Sequence, residues 1–135
     1  MKKIALITGA PSGIGEACAR RFSAGGYDLI LTGRNQEKLD TLQKELNADG
    51  TDVKSLTFDI RDRKAATEAV ESLAGKWRDV DVLINNAGLA LGLEKEYELA
   101  PEYWETMIDT NIKGMLTMTH LIVPHMVERN RGHVI

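Results

Sequence analysis

The first fifteen residues hold the feature that most constrains the fold, a short apolar run followed closely by three glycines. Ile4 to Ile7 form a continuous apolar segment, which is typical of a strand covered by helices on both faces. Gly9, Gly13 and Gly15 then allow the chain to reverse tightly into a helix. Unpaired N–H groups at the start of such a helix favour an anion, and a pyrophosphate would suit them. The alternative is an ordinary strand-to-helix turn that binds nothing.

Helices are predicted wherever apolar residues recur at intervals of three and four. The first predicted helix follows the glycine turn, and a second is expected after Asn35 as its N-cap. A third helix is expected to begin after Asp62 as its N-cap, with an apolar stripe that reaches Trp77. From 102 to about 127 the pattern predicts one long helix or two in series. Gly114 and Pro124 are the weak points of that region.

Strands are predicted between these helices, at 29–32, 53–60 and 80–84, and again from residue 133 onward. Strands that alternate with helices indicate a parallel sheet. We therefore expect an α/β fold, a Rossmann-type doubly wound parallel sheet with helices on both faces. The chain stops at the start of the fifth strand, so we expect it to be a fragment.

Composition favours an ordinary globular protein and excludes several other classes. The 135 residues suffice for one domain, and 43% hydrophobic with 27% charged residues are typical proportions. A net charge of -3 without a basic run gives no reason to expect nucleic acid. No apolar stretch approaches the ~20 residues that cross a bilayer, so we expect no membrane association and a cytoplasmic location. The single cysteine excludes an internal disulfide and a cysteine-based zinc site.

A second motif, Asn85-Asn86-Ala87-Gly88, directly follows the predicted fourth strand. Together with Thr8-Gly9 and the later glycines of the turn, it resembles the short-chain dehydrogenase/reductase family over the whole chain. Three segments are similar, more narrowly, to the NADP-dependent 3-hydroxy acid dehydrogenases that also oxidise serine or allo-threonine: NNAGLALG (85–92), WETMIDTN (104–111) and MVERNRG (126–132). The resemblance implies hydride transfer between NADP and a hydroxyl or carbonyl group of a small 3-hydroxy acid.

The resemblance also implies which residues bind the cofactor. The pyrophosphate and its adjacent ribose would be held by the glycine turn, through Gly9, Ser12, Gly13, Ile14 and Gly15. Asp59 and Ile60 would flank the adenine, with Asp59 accepting a hydrogen bond from its amino group; alternatively, Asp59 is a capping or turn residue. The ribose on the nicotinamide side would lie against Asn86, Ala87 and Gly88. Asn85 is expected to brace the strands instead.

The choice between NAD and NADP rests on the end of the second strand. An NAD site places an acid there, whereas the 2'-phosphate of NADP needs a cation. The segment Thr32-Gly33-Arg34-Asn35 contains no carboxylate, which favours NADP, with Arg34 paired to the phosphate. The alternative is a solvated surface cation. Many NADP-preferring members of the family carry a second basic residue in the glycine turn, where this chain has Ser12, whose hydroxyl can still donate to the phosphate.

Asn111 matches the family's catalytic asparagine, which holds a water in the proton relay at a break in a long helix. Without the resemblance, it would be interpreted as a residue that kinks the helix or bonds a backbone carbonyl. The family also needs a serine and a Tyr-x-x-x-Lys pair, yet none of Tyr27, Tyr97 and Tyr103 is followed by that lysine. We therefore expect residues 1–135 to be the NADP-binding portion of an incomplete short-chain dehydrogenase, inactive by itself.

No metal site is predicted, because His120 and His125 lie five residues apart on one helix, which is poor geometry for one metal ion. The resemblance implies a small hydroxy acid or carbonyl substrate and a full-length protein that forms a homo-oligomer, a dimer or tetramer. Two alternatives remain open from the sequence. One is a short, non-catalytic dinucleotide-binding module or sensor, and the other is a reading frame that does not fold.

Overall fold

The structure is a computed structural model that describes residues 1–91, 94–95 and 97–135. Within these residues one sheet contains the strands β1 (Ile4–Ile7), β2 (Asp28–Gly33), β3 (Val53–Thr57), β4 (Val82–Ile84) and β5 (His133–Val134). Their order across the sheet is β3-β2-β1-β4-β5, and every neighbouring pair is parallel. The predicted parallel α/β sheet is therefore confirmed.

Helices connect the strands and cover both faces of the sheet. They are α1 (Gly13–Ala24), α2 (Gln36–Ala48), α3 (Arg63–Glu71), α4 (Pro101–Ile108) and α5 (Met115–Glu128). A 3-10 turn, Gly75–Arg78, follows α3, and a π-helical segment, Asp109–Gly114, joins α4 to α5. Asp62 caps α3 as predicted, since its Oδ1 accepts the backbone N–H of Ala65 at 3.0 Å.

Two strands and one helix are shorter in the structure than the sequence pattern predicts. The third strand ends at Thr57 rather than at residue 60, and the fourth begins at Val82 rather than at residue 80. The third helix ends at Glu71, so Trp77 lies on the 3-10 turn instead. Gly75 lies between the end of α3 and Trp77, and its φ of +58° is a left-handed conformation through which an α-helix cannot continue.

The sheet separates two apolar layers. On one face, strand residues pack with side chains of α3 and α5, including Leu6, Ile30, Leu83, Ala66, Met118, Ile122 and Met126. On the other face, strand residues pack with α1 and α2, including Ile7, Leu29, Leu31, Ala19, Leu39, Leu42 and Leu46. Burying each large aliphatic side chain contributes roughly 1.5–3 kcal/mol, so the two layers hold the strand ends rigidly in place.

The long helical region changes geometry at the predicted weak point. Gly114 ends the π-helical segment, and a Cβ at this glycine would approach Ile60 Cγ2 to 2.9 Å. Pro124, in contrast, lies inside α5 without ending it. Of the two alternatives, one long helix or two in series, the structure has two α-helices in series, joined without a gap by the π-helical segment that ends at Gly114. In the part of the chain that the structure describes, no helix has the length and apolar character needed to cross a membrane.

Candidate functional site

A cavity of about 930 Å³ opens where β1, β2 and β4 end. Its lining contains nearly all of the predicted cofactor-binding residues, namely Gly9, Ser12, Gly13, Ile14, Arg34, Asp59, Ile60, Asn86, Ala87 and Gly88. Gly15 is the exception, because it is buried in α1 beneath the turn. Open α/β sheets bind ligands at the carboxyl ends of their strands, where the chain order reverses, and β1 lies at such a point between β2 and β4.

The glycines of the turn are required for different reasons. Gly9 and Gly13 have φ values of +63° and +58°, a region that favours glycine. Gly15 has no room for a side chain, since a Cβ there would collide with the carbonyl oxygen of Gly9. Around Gly13, nothing lies within 4 Å of the position of a Cβ, so its backbone faces open space in the cavity. That space is available to a phosphate.

The start of α1 is left without a side-chain cap. Ser12 is its N-cap residue, but the hydroxyl makes no capping hydrogen bond. In α2 and α3, by contrast, Asn35 and Asp62 each accept a backbone N–H of the first turn. The first N–H groups of α1 therefore lack the partner that the other two helices supply, and they are suited to an anion in the cavity. The residues present thus fit the pyrophosphate of a dinucleotide.

Asn86 ties the glycine turn to the end of β4. Its Nδ2 donates to the carbonyl oxygens of Thr8 at 3.0 Å and Gly9 at 3.1 Å. The Thr8 hydroxyl oxygen in turn accepts the backbone N–H groups of Asn86 at 3.1 Å and Ala87 at 2.9 Å. Thr8 is fully buried, and our sequence interpretation did not assign it this role. The two motifs are therefore locked together by neutral hydrogen bonds.

Asn85 braces the strands, as we predicted, through its backbone and not through its side chain. Its side-chain Nδ2 donates to the hydroxyl of Thr119 on α5 at 3.2 Å. Only its backbone contacts a strand segment, where its N–H donates to the carbonyl of Ile135 at 2.8 Å. A side-chain brace between strand ends is provided by Asn86, while the side chain of Asn85 attaches β4 to α5.

Asp59 is held at the cavity by Arg61. The guanidinium donates from Nε to Oδ1 at 3.1 Å and from Nη2 to Oδ2 at 2.7 Å, and the backbone N–H of Arg61 donates to Oδ1 at 2.9 Å. These hydrogen bonds lower the pKa of Asp59, and the charge of Arg34 acts in the same direction. The turn role considered for Asp59 is confirmed. The ionised carboxylate retains lone pairs for a further donor, so the adenine role stays a prediction.

The wall beside β2 is basic. Arg34 is exposed there, directly after the last residue of β2, and Lys38 lines the same wall from the first turn of α2. Asn35 lies between them and caps α2, as its position in the sequence indicated. Lys38 was missed because an exposed lysine on a helix carries no periodic signal. Its spacing of four from Arg34 was the available clue.

Asn111 lies in the π-helical segment and contacts the backbone that follows the NNAG motif. Its Nδ2 donates to the carbonyl of Leu89, and its Oδ1 accepts the N–H of the same residue, both at 2.8 Å. Leu89 lines the cavity, whereas Asn111 is exposed and does not line it. The interpretation that Asn111 bonds a backbone carbonyl is confirmed, and its water-binding role stays a prediction. Gly92, the last residue of NNAGLALG, lies outside the described residues.

Comparison with known proteins agrees with this geometry. A family model described as short chain dehydrogenase matches residues 3–135. The chain belongs to the short-chain dehydrogenase family. Over 132 residues it is 53% identical to NADP-dependent 3-hydroxy acid dehydrogenase YdfG of Salmonella typhi and 48% identical to YdfG of Escherichia coli K12. Each match covers 98% of this chain and 52% of the relative, so this short-chain dehydrogenase spans about half the length of the curated relatives it matches.

Solved structures of the family have the same fold. Serine dehydrogenase from Escherichia coli is 48% identical with a TM-score of 0.91, over 97% of this chain and 59% of that one. The closed form of serine dehydrogenase complexed with NADP+ gives a TM-score of 0.92, 48% identity, and coverage of 97% and 52%. The predicted Rossmann-type fold and the predicted similarity to 3-hydroxy acid dehydrogenases are therefore both confirmed.

Proposed function

We propose that this chain is the NADP-binding portion of a dehydrogenase that interconverts the hydroxyl and carbonyl forms of a small 3-hydroxy acid, such as serine or allo-threonine. The observation that carries the proposal is the cavity at the strand ends, in which an uncapped helix start and the exposed Arg34 face the same space. The names of the similar proteins support both NADP and the substrate class.

The residues of the cavity divide the cofactor between them. The first turn of α1, from Ser12 to Ile14, would hold the pyrophosphate through backbone N–H groups. Arg34 would pair with the 2'-phosphate, and Asp59 would accept the adenine amino group. Asn86 to Gly88 would lie against the ribose on the nicotinamide side, where small residues permit close approach. When bound, NADP supplies the redox chemistry by exchanging a hydride with the substrate carbon.

The chain as given is proposed to bind the cofactor without turnover. A general acid/base must exchange a proton with the substrate hydroxyl, and no tyrosine among the 135 residues is followed by the lysine that the family uses to tune it. Asn111 would contribute a water to that proton relay from behind the NNAG segment. Continuation of the gene into a serine and a Tyr-x-x-x-Lys pair supports this reading, whereas a stop codon after Ile135 favours a non-catalytic binding module.

Titration of NADPH and NADH by protein fluorescence tests the cofactor assignment. We expect NADPH to bind at least about tenfold more tightly, because a charge-assisted contact to the 2'-phosphate is absent from NADH. Substitution Arg34→Gln is expected to remove most of this preference. Equal affinity for the two cofactors, or no binding of either, would overturn the proposal.

The full-length protein is also proposed to form a homo-oligomer through the α4 to α5 region. Large apolar side chains are exposed along it, including Trp104, Ile108, Ile112, Met115 and Leu116. Contiguous exposed apolar surface of this kind is typical of protein interfaces. Met118 and Met126 are buried in the core, so of these methionines only Met115 is available to a partner. Sedimentation velocity of wild type and Leu116→Glu tests the proposal, and an unchanged monomer in both would contradict it.

A further inference from the structure

We propose that Lys38 provides a second positive charge for the 2'-phosphate of NADP, from the first turn of α2. The proposal rests on the proposed function, since it requires NADP in the cavity with its 2'-phosphate beside Arg34. In this proposal the second positive charge comes from a helix. The glycine turn does not supply it, because this chain has the uncharged Ser12 where many NADP-preferring members of the family have a basic residue.

Lys38 has a fixed backbone position at the cavity wall. It is the third residue of α2, and its N–H donates to Oδ1 of the cap residue Asn35 at 3.1 Å. Lys38 and Ser12 line the main cavity and also a neighbouring one of about 610 Å³. The lysine therefore stands beside the glycine turn, where the two cavities meet, and four residues from Arg34.

Two other basic side chains near these cavities already have carboxylate partners. Arg20 lines the neighbouring cavity, and its Nη2 lies 2.7 Å from Oε2 of Glu45. Arg61 lies 2.7 Å from Oδ2 of Asp59. The protein itself balances the charge of both guanidinium groups, so neither is available at full strength to a bound phosphate.

Arg34 and Lys38 differ from that pair. Among the residues that the structure describes, no carboxylate lies within ion-pair distance of either one. The adjacent Glu37 lines the neighbouring cavity and not the main one. A doubly negative phosphate between Arg34 and Lys38 would therefore meet two cations that form no ion pair within the described residues.

The chemistry of lysine predicts how such a contact would behave. An ammonium group acts as a point charge on a flexible stem, so it needs no bidentate geometry to attract a phosphate. An exposed charge of this kind is screened by salt. Its contribution should therefore be confined to ligands that carry the 2'-phosphate and should decline as ionic strength rises.

Calorimetric titration with two small probes isolates this contribution without any reaction. Adenosine 2',5'-bisphosphate and adenosine 5'-monophosphate differ only in the 2'-phosphate. We expect Lys38→Gln to weaken binding of the bisphosphate by about five- to tenfold and of the monophosphate by less than about twofold. Lys44→Gln, an exposed lysine on the same helix that lines neither cavity, is the matched control and should change neither affinity.

The outcomes separate this inference from the proposed function. Equal weakening of both probes by Lys38→Gln, or no weakening, overturns the role of Lys38. If Arg34→Gln loses affinity for the bisphosphate while Lys38→Gln does not, only the present inference fails. If the wild-type chain binds both probes equally, the assignment of NADP fails as well. Thermal melts by circular dichroism establish that each variant is folded before it is titrated.

Discussion

The amino end of the sheet differs from the carboxyl end in how its charged side chains are partnered. At the amino end, Asp81 is almost fully buried and accepts the backbone N–H of Ile4 at 2.9 Å. Nη2 of Arg129 donates to its Oδ1 at 3.0 Å, and Nη2 of Arg131 lies 3.0 Å from the same oxygen. Asp28, equally buried, lies 3.2 Å from the ammonium of Lys76. Both buried carboxylates lie within ion-pair distance of a basic side chain, so these charges stabilise the fold.

At the carboxyl end the two motifs are joined by neutral groups, and two basic side chains have no ion-pair partner among the described residues. Asn86 and Thr8 connect the two motifs through amide, hydroxyl and carbonyl groups, while Arg34 and Lys38 face the cavity beside them. This contrast indicates which end of the sheet binds a ligand. Ion-paired side chains stabilise the amino end of the sheet. At the carboxyl end, basic side chains without an ion-pair partner favour the binding of an anion.

The largest expected effect comes from removing the buried carboxylate at the amino end. Asp81→Ala should lower the free energy of unfolding by about 3–5 kcal/mol, because the partly buried guanidinium of Arg129 and the backbone N–H of Ile4 lose their acceptor. Affinity for NADPH in the folded protein should not change, since the site lies at the opposite end. Urea denaturation measures the loss, and Asp40→Asn on the exposed side of α2 is the control. If Asp81→Ala lowers the free energy of unfolding no more than the control does, the ion pairs at the amino end do not stabilise the fold.

An intermediate effect is expected at the neutral joint. Asn86→Ala removes both amide hydrogen bonds to the turn, which should cost about 1–3 kcal/mol of stability. It should also weaken NADPH binding by about tenfold, because the turn is no longer held in place. Asn85→Ala is the matched control, since it loses a hydrogen bond to Thr119 without touching the turn. Equal losses of affinity in the two variants would show that Asn86 does not hold the turn.

The smallest effect concerns His125, which belongs to the amino end. Its Nε2 lies 2.9 Å from Asp79 Oδ1, and its Nδ1 lies 3.2 Å from Glu128 Oε2. The hydrogen bonds to Asp79 and then to Glu128 raise the pKa of His125 above its ordinary value of 6.5. The bond to His125 lowers the pKa of Asp79 below 3.8.

These directions fix the sign of the pH dependence. The contribution of protonated His125 to the free energy of unfolding is fully present below pH 6.5, and it is lost as the pH rises through the raised pKa of His125. The contribution of ionised Asp79 to the free energy of unfolding is lost at acidic pH, as the pH falls through the lowered pKa of Asp79. The melting temperature of wild type should exceed that of His125→Gln near about pH 6, and the difference should shrink by about pH 8.5. His120→Gln on the same helix is the control, and an identical pH profile for the two variants would contradict the prediction.

The parts of the site that depend on the backbone could be predicted from the sequence. Gly9 and Gly13 mark positions with positive φ, and Asn35 marks the start of α2, because such conformations restrict the residue types that fit. The bracing of the turn by the side chain of Asn86, rather than by that of Asn85, could not be predicted. Neighbouring residues at a strand end point in opposite directions, and the pairing of Ile7 with Ile84 decides which asparagine faces the turn.

Charged partners were the other part that the sequence did not reveal. Arg61 and Lys38 are exposed, and the apolar periodicity that predicts helices and strands says nothing of exposed charges. The contact of Arg61 with Asp59 depends on how the chain turns after β3. The contact of Lys38 with the cavity depends on how α2 leaves β2. Both require a folded backbone before a partner can be named.

The lock between Asn86 and the glycine turn also determines when the conformational entropy of the site is lost. Its hydrogen bonds are made entirely within the protein, so the turn has its binding shape before a cofactor arrives. Ordering of the loop is then part of folding and is not subtracted from the free energy of binding. For the proposed cofactor, preorganisation of this kind would leave association limited by diffusion and orientation, with the lifetime of the complex set by the contacts to the phosphates.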